Sequence, residues 1–273
     1  MILLNRVAHF TIAFFAVISV AGPSMAQSGG DNSEELAKKL ANPVANLISV
    51  PFQLNYDDGF GPQDGHKTYL NFQPVVPFSL NPDWNVIVRT IVPVIDQEDV
   101  VPGTGSQFGL GNTTQSLFLS PKKPGPGGLV WGVGPVFLWP TATDDELGPD
   151  KWGIGPTVVV LKQDGPWTIG FLGNHIWSYA GDEDQPDVNS TFLQPFVNYT
   201  TKRATSFVLN TESTYDWEAK EWSVPINAEV LQLVKIGGQR VQLGGGLRYW
   251  AASAESGPDG WGARLVATLL FPR

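Results

Sequence analysis

Five charged residues lie in the middle of segments that otherwise alternate between polar and apolar side chains. They are Arg89, Glu212, Glu229, Arg248 and Arg264. An ionisable group at membrane depth is costly unless it pairs with another charge or lines water. If these segments cross a membrane, the five charges form either a selective constriction in a water-filled lumen or a salt-bridged network that braces a narrow barrel. The sequence leaves both alternatives open.

Seven neutral polar side chains share the polar faces of the same segments. We predict that they line the same lumen as hydrogen-bonding groups. They are Asn71, Gln73, Gln115, Asn174, Gln194, Asn198 and Asn227.

Catalytic and metal chemistry find little support in the residue types. The chain has no Cys, which excludes disulfides, thiolate metal sites and cysteine nucleophiles. His175 and Ser178 are three residues apart and should point to opposite faces of a strand, and His66 has no Ser at a matching spacing. The acidic run at 182–187 lacks the Gly and the distal Glu of a calcium loop. We therefore expect no enzyme activity, no cofactor and no metal site.

The connections between the segments alternate between long acidic loops and short basic turns. The long connections fall at 57–65, 96–106, 142–150, 180–187, 216–221 and 251–259. The short connections fall at 81–83, 121–127, 163–166, 201–204 and 235–240. Because 19 of the 26 acidic residues lie in the long set, loop length and charge vary together. Long loops on one rim and tight turns on the other are typical of an outer-membrane barrel.

Several segments alternate with a period of two residues, which predicts strands. In the last segment, Trp261, Leu265 and Leu269 oppose Arg264 and Thr268. The predicted strands are 47–56, 66–80, 84–95, 107–120, 128–141, 151–162, 166–179, 188–200, 204–215, 221–234, 239–251 and 260–271. We therefore predict an all-β fold, a transmembrane up-and-down antiparallel β-barrel of about twelve strands with a short N-terminal helix.

The chain divides into three predicted parts. Residues 1–26 combine Arg6, an apolar run and a small-residue cleavage site, as in a secretory signal peptide. Residues 27–46 form a periplasmic leader whose apolar stripe predicts a short helix that ends before Pro43. This helix lies at the turn-side rim, partly plugs the lumen, or belongs to a flexible tail. Residues 47–273 form the barrel.

Composition excludes other classes of protein. Without the signal peptide the chain has 16 basic and 26 acidic residues and a net charge of −10, which argues against a nucleic-acid partner. No apolar stretch after the signal peptide is long enough for a transmembrane helix, so that a membrane crossing requires a closed sheet.

Aromatic and proline residues add one supporting and one opposing observation. Aromatic residues concentrate near the strand ends, which predicts interfacial girdles. They are Trp84, Trp131, Trp139, Trp152, Trp167, Trp177, Tyr179, Tyr199, Tyr215, Trp217, Trp222, Tyr249, Trp250, Trp261 and Phe271. Prolines inside the strands each remove a ladder donor, so that bulges are expected near them. They are Pro51, Pro74, Pro77, Pro93, Pro135, Pro156, Pro195 and Pro225.

Several stretches resemble one family of outer-membrane proteins. They are 40–56 (LANPVANLISVPFQLNY), 70–85 (LNFQPVVPFSLNPDWN), 89–95 (RTIVPVI), 132–135 (GVGP), 153–156 (GIGP) and 269–272 (LLFP). Together they are similar to the transporter family associated with the meta-pathway of phenol degradation. The resemblance covers the chain from the leader onward and implies an outer-membrane barrel with a role in the uptake of small compounds, with aromatic or hydrophobic compounds as candidates.

Three functional hypotheses follow. The first is an outer-membrane channel or transporter, of the porin kind, that admits small solutes through a narrow charged lumen. The second is a non-conducting structural or adhesive barrel, and the third is a lipid-modifying barrel enzyme. The expected location is the bacterial outer membrane. Outer-membrane lipid, lipopolysaccharide and a small-molecule solute are the expected partners, and the oligomeric state is left open.

Overall fold

The computed structural model describes residues 33–271. The predicted signal peptide lies outside the described residues, as do residues 27–32 of the leader, Pro272 and Arg273. One α-helix, α1 (Ser33–Leu40), precedes the strands, as the apolar stripe predicts. Within the described range, no helix is both long enough and apolar enough to cross a membrane.

Fifteen strand segments follow the helix. They are β1 (Ile48–Phe60), β2 (Gly65–Phe72), β3 (Val75–Ser79), β4 (Trp84–Glu98), β5 (Ser106–Leu110), β6 (Thr113–Pro121), β7 (Leu129–Trp139), β8 (Lys151–Asp164), β9 (Trp167–Gly181), β10 (Asn189–Thr200), β11 (Thr205–Thr211), β12 (Ser213–Asp216), β13 (Glu221–Ile236), β14 (Gln239–Ala252) and β15 (Gly260–Phe271). The segments β2 and β3, β5 and β6, and β11 and β12 each form one interrupted barrel strand, which gives twelve barrel strands.

Each barrel strand pairs in antiparallel fashion with its neighbours in sequence, and β15 pairs with β1 to close the sheet. The closing register runs from Ile48 opposite Phe271 to Tyr56 opposite Ala263. The predicted twelve-strand antiparallel barrel with one short helix is therefore confirmed. Its bounds differ from the predicted ones mainly at the loop ends, where β1 extends to Phe60 rather than to residue 56.

Alternation along each strand separates an apolar outer face from a polar inner face. In β15, Arg264 and Thr268 are 2% and 4% exposed, whereas Leu265 and Trp261 are 62% and 64% exposed. Exposed apolar side chains repeat in this way around the barrel. An apolar band around a polar interior is the arrangement of a barrel in lipid.

Aromatic pairs mark two levels of the outer surface. Near the short turns, the ring centroids of Trp167 and Tyr199 lie 4.8 Å apart, and near the long loops those of Tyr249 and Trp261 lie 4.9 Å apart. These positions suit the two interfacial girdles. Trp250 is an exception among the predicted girdle residues. It lies on the inward-facing side of β14, where its indole N–H donates to Asp57.

The in-strand prolines coincide with interruptions of the ladder. Pro74 lies between β2 and β3, and its carbonyl accepts from the Thr90 N–H at 3.1 Å. Pro225 lies beside a bulge in the pairing of β13 with β14. Pro135 and Pro156 face each other across β7 and β8. Since neither has an N–H, the two missing ladder donors lie at the same level of the sheet.

The two Gly-x-Gly-Pro motifs occupy places where neighbouring backbones approach closely. A Cβ atom on Gly134 would lie 1.9 Å from the Leu117 carbonyl oxygen. On Gly155 it would lie 1.7 Å from the His175 carbonyl oxygen. Any side chain at these positions would force the neighbouring strand away.

The N-terminal segment, residues 33–47, lies at the turn-side end of the barrel. Leu36 and Ala37 of α1 are buried against a cluster that consists of Leu47, Ala204, Leu233 and Leu270. The Gln163 side chain donates to the Lys38 carbonyl at 2.8 Å. Val44 then packs against a second interior cluster, Ile87, Phe118, Val159, Leu161 and Leu172. The segment after the helix therefore enters the lumen.

Replacing Gly155 by Ala should destabilise the barrel by about 1–3 kcal/mol, because the added methyl group overpacks the β8–β9 contact. Urea unfolding in lipid vesicles, followed by tryptophan fluorescence, measures this change. Gly125→Ala is the matched control, since the nearest atom to its new Cβ lies 3.5 Å away. Equal unfolding midpoints for the two variants would contradict the proposed steric role of Gly155.

Candidate functional site

Arg264 is the central residue of a charged cluster inside the barrel. It projects inward from β15 and bonds Glu212 through both terminal nitrogens, with Nη2 to Oε2 at 2.6 Å and Nη1 to Oε1 at 3.2 Å. Its Nη1 also donates to Glu229 at 3.1 Å, and its Nε donates to Asn55 at 2.7 Å. The fork of a guanidinium group suits such bidentate carboxylate contacts. One buried cation is therefore shared by two carboxylates.

Arg248 extends the cluster toward the long loops. It projects from the neighbouring strand β14 and donates to Glu212 and to Asp57, each at 3.0 Å. The Tyr69 hydroxyl accepts from the same guanidinium group, and the Trp250 ring lies 5.0 Å from it. Trp250 also donates to Asp57 at 2.9 Å. We call Asp57, Glu212, Glu229, Arg248 and Arg264 the lumenal network.

Glu212 reaches both arginines from an interruption in the sheet. It lies between β11 and β12 and has no ladder partner. The ladder with β13 stops at Thr211 and resumes at Thr214, so that Pro225 falls opposite Glu212. Because proline has no N–H to donate, the regular pairing is lost at this point. The carboxylate then reaches across β13 to the arginines of β14 and β15.

Arg89 has different surroundings from the other two arginines. It projects inward from β4, and its Nη2 donates to Gln73 Oε1 at 3.1 Å. Gln73 in turn donates to Gln53 at 3.0 Å. Among the described residues, no carboxylate lies within ion-pair distance of Arg89. Its side chain remains partly exposed, whereas Arg248 and Arg264 are 3% and 2% exposed.

Most of the neutral residues named from the sequence face the interior. Gln73, Asn198 and Asn227 are buried, and Gln194 donates to Glu212 at 3.5 Å. Asn71 and Asn174 lie on the inward-facing positions of β2 and β9, the first beside Gln73 and the second beside Leu172.

Gln115 is the exception, and its predicted place in the lumen is wrong. It pairs with Thr90 across β4 and β6 and donates to the Thr90 hydroxyl at 3.1 Å on the outer face. The reason is the interruption between β5 and β6, which shifts the alternation by one residue. Gln107 faces inward before it, and Ser116 faces inward after it.

The sequence-based prediction omitted Asp57, Tyr69 and Trp250. The sequence pattern places Asp57 in a long loop, although the residue continues the alternation of Gln53 and Asn55 along β1. The same pattern places Trp250 in a girdle, although it lies two residues after Arg248 and therefore on the same face. Extending the period-two pattern of β1 to Asp57 and that of β14 to Trp250 identifies both side chains as inward-facing.

A cavity of about 230 Å³ lies in the lumen between the lumenal network and the N-terminal segment. The N-terminal segment lines it with Lys39, Leu40, Ala41, Asn42, Pro43, Ala45 and Leu47. The barrel lines it with polar and apolar residues, namely Ser49, Gln73, Arg89, Gln194, Asn198, Asn210, Gln242 and Thr268, together with Pro51, Val75, Leu172, Phe196, Val208 and Leu231.

The histidines and acidic loops show no arrangement for catalysis or metal binding in the described part of the chain. His175 contacts the Thr191 hydroxyl at 2.6 Å, on the outer face, and Ser178 instead donates to Asp187. Lys151 lies 3.0 Å from Asp187, and these two contacts hold the pKa of that carboxyl below its usual value. No group of three or more potential metal ligands occurs between residues 33 and 271.

The fold resembles that of known outer-membrane proteins. No protein-family model matches the sequence, and no curated protein matches it. An outer membrane channel from Pseudomonas putida F1 matches 83% of this chain and 96% of its own, with a TM-score of 0.65 and 13% identity. An outer membrane phospholipase dimer from Salmonella typhi with bound calcium covers 88% of this chain and 98% of its own, with a TM-score of 0.48 and 9% identity.

At these identities the likeness shows the fold and nothing more. The closed twelve-strand sheet, its apolar outer band and its aromatic girdles are the features of a bacterial outer-membrane β-barrel. The outer membrane is therefore the location of this protein, since a closed barrel leaves no free sheet edge in lipid.

Replacing Arg264 by Met should destabilise the barrel by about 3–5 kcal/mol, because Glu212 and Glu229 would lose a buried partner. Urea unfolding in vesicles measures the loss. Arg203→Met, in an exposed turn, should leave the midpoint unchanged. In a double-mutant cycle, Glu229→Gln should recover part of the loss. Strict additivity of the two substitutions would show that they do not interact.

Proposed function

We propose that this protein is an outer-membrane channel or transporter that admits small solutes through the narrow, charged lumen of its barrel. The observation that carries this proposal is the cavity of about 230 Å³ inside the barrel. A barrel that served only as a scaffold has no need of an interior that combines amides, a partly exposed arginine and space. The likeness in fold to an outer membrane channel agrees with this proposal.

We assign two different roles to the five charges named from the sequence. Glu212, Glu229, Arg248 and Arg264 satisfy one another and brace the lumen, and they thereby fix the width of the passage. Arg89 remains partly exposed to the cavity and sets the sign of the local field that a passing solute meets.

Small aromatic or hydrophobic compounds are the proposed solutes. Leu172, Phe196 and Leu231 contribute apolar groups to the cavity beside its amides, and such a combination suits a small ligand with an apolar body. The resemblance to transporters of the phenol meta-pathway points the same way and stays a prediction.

A non-conducting barrel is the second candidate function. The N-terminal segment packs into the turn-side end of the lumen through Leu36, Ala37 and Val44. A lumen that stays closed in this way would leave the acidic loops as the functional surface. Conductance separates the two candidates.

Purified protein should give discrete current steps in a planar bilayer. Leu36→Asn should increase the open probability, because it weakens the apolar contact that keeps α1 in the mouth of the barrel. Glu35→Asn is the matched control, since it places the same residue on the exposed side of the helix. If wild type and Leu36→Asn are both silent although both show the heat-modifiable migration of a folded barrel, the protein does not conduct.

Arg89→Gln should shift the reversal potential in a salt gradient toward cation selectivity, because it removes a cation that lines the cavity and has no carboxylate within ion-pair distance among the described residues. Lys202→Gln removes an equal charge at an exposed turn and should change the selectivity much less. Identical reversal potentials in wild type and Arg89→Gln would show that Arg89 does not lie on the conducting path.

A further inference from the structure

We infer that the lumenal cavity is a binding site for a small organic monocarboxylate with a compact apolar body, and that Arg89 binds its carboxylate. The inference rests on the proposed function, because it names the class of solute that the channel takes up. It is carried by the contacts of Arg89 and by the chemistry of the cavity walls.

Arg89 has N–H donors that no acceptor among the described residues uses. A guanidinium group offers five N–H donors, and among the described residues Arg89 uses a single acceptor, the neutral Gln73. Arg248 and Arg264 each bond two carboxylates. A cation at membrane depth is costly without an anion. A bound carboxylate would give Arg89 a direct anionic partner and a bidentate acceptor.

The walls of the cavity mix amide and apolar groups. Gln194, Phe196 and Asn198 occupy alternate positions on one face of β10, and Leu172 of β9 pairs with Gln194. A ligand with a charged head and an apolar body can contact Arg89, the amides and the apolar side chains together. Inorganic anions would leave the apolar side chains without a partner, and organic cations would meet Arg89 as a like charge.

The volume of the cavity limits the size of the ligand. At about 230 Å³, the cavity is smaller than the roughly 300–1,000 Å³ of pockets that bind drug-sized ligands. It suits a body of one ring or a short branched chain. Benzoate is therefore the probe, and benzyl alcohol, which has the same ring and a neutral head, is its matched control.

Isothermal titration calorimetry of the full-length protein in detergent tests the site. Benzoate should bind wild type about 10- to 100-fold more tightly than benzyl alcohol, which is the range that a charge-assisted pair contributes. Arg89→Gln should lose this preference. Arg203→Gln, the same substitution in an exposed turn, should retain it.

Equal affinities of wild type for benzoate and benzyl alcohol, or no benzoate binding, would overturn the inference. Undiminished benzoate binding by Arg89→Gln would overturn it as well. If Arg89→Gln does not fold, the affinities of wild type for benzoate and benzyl alcohol still test the inference. Bilayer currents from the same preparation keep the two proposals separate. Currents without benzoate binding refute the carboxylate site alone, and benzoate binding without currents refutes the channel alone.

Discussion

The pairing of β15 with β1 closes the sheet and thereby determines what lies inside the barrel and what lies outside it. Closure gives every strand two partners, removes the free edges and divides the alternating side chains into an inner and an outer set. The same seam places Asn55 directly opposite Arg264, and the Arg264 Nε donates to Asn55 at 2.7 Å. The seam thus also holds Arg264, a member of the lumenal network, in place. Without the seam, that network would have neither its geometry nor its shelter from lipid.

Inside the closed sheet, the ion pairs are distributed unevenly around the lumen. Three carboxylates, those of Asp57, Glu212 and Glu229, surround two arginines on one side of the lumen. Arg89 supplies a third cation from the other side, with an amide as its partner. Buried ion pairs contribute little net stability, but losing one partner is expensive. The paired charges therefore suit a fixed wall, and Arg89 suits an exchangeable contact.

The strands, their alternation and the short helix could be predicted from the sequence because each depends on local periodicity. The same periodicity predicts four of the five members of the lumenal network. They are Glu212, Glu229, Arg248 and Arg264. What could not be predicted depends on register. The sequence misplaces Gln115 because the interruption before β6 moves the pattern by one residue, and it ends β1 before Asp57. The pairing of Glu212 with two arginines requires the break opposite Pro225. The proline itself predicts a bulge, but which residue lies opposite it depends on the register of β11, β12 and β13.

The span of the network along the chain has a consequence for assembly. Its contacts join residues of the first strand to residues of the last two, separated by 209 positions for Asn55 and Arg264 and by 191 for Asp57 and Arg248. These bonds require the two ends of the sheet to meet, so that a sheet that has not closed leaves Asp57 without Arg248 and Asn55 without Arg264. An ionised carboxylate without a partner is strongly disfavoured at membrane depth. The electrostatic balance of the lumen therefore depends on contacts between opposite ends of the chain.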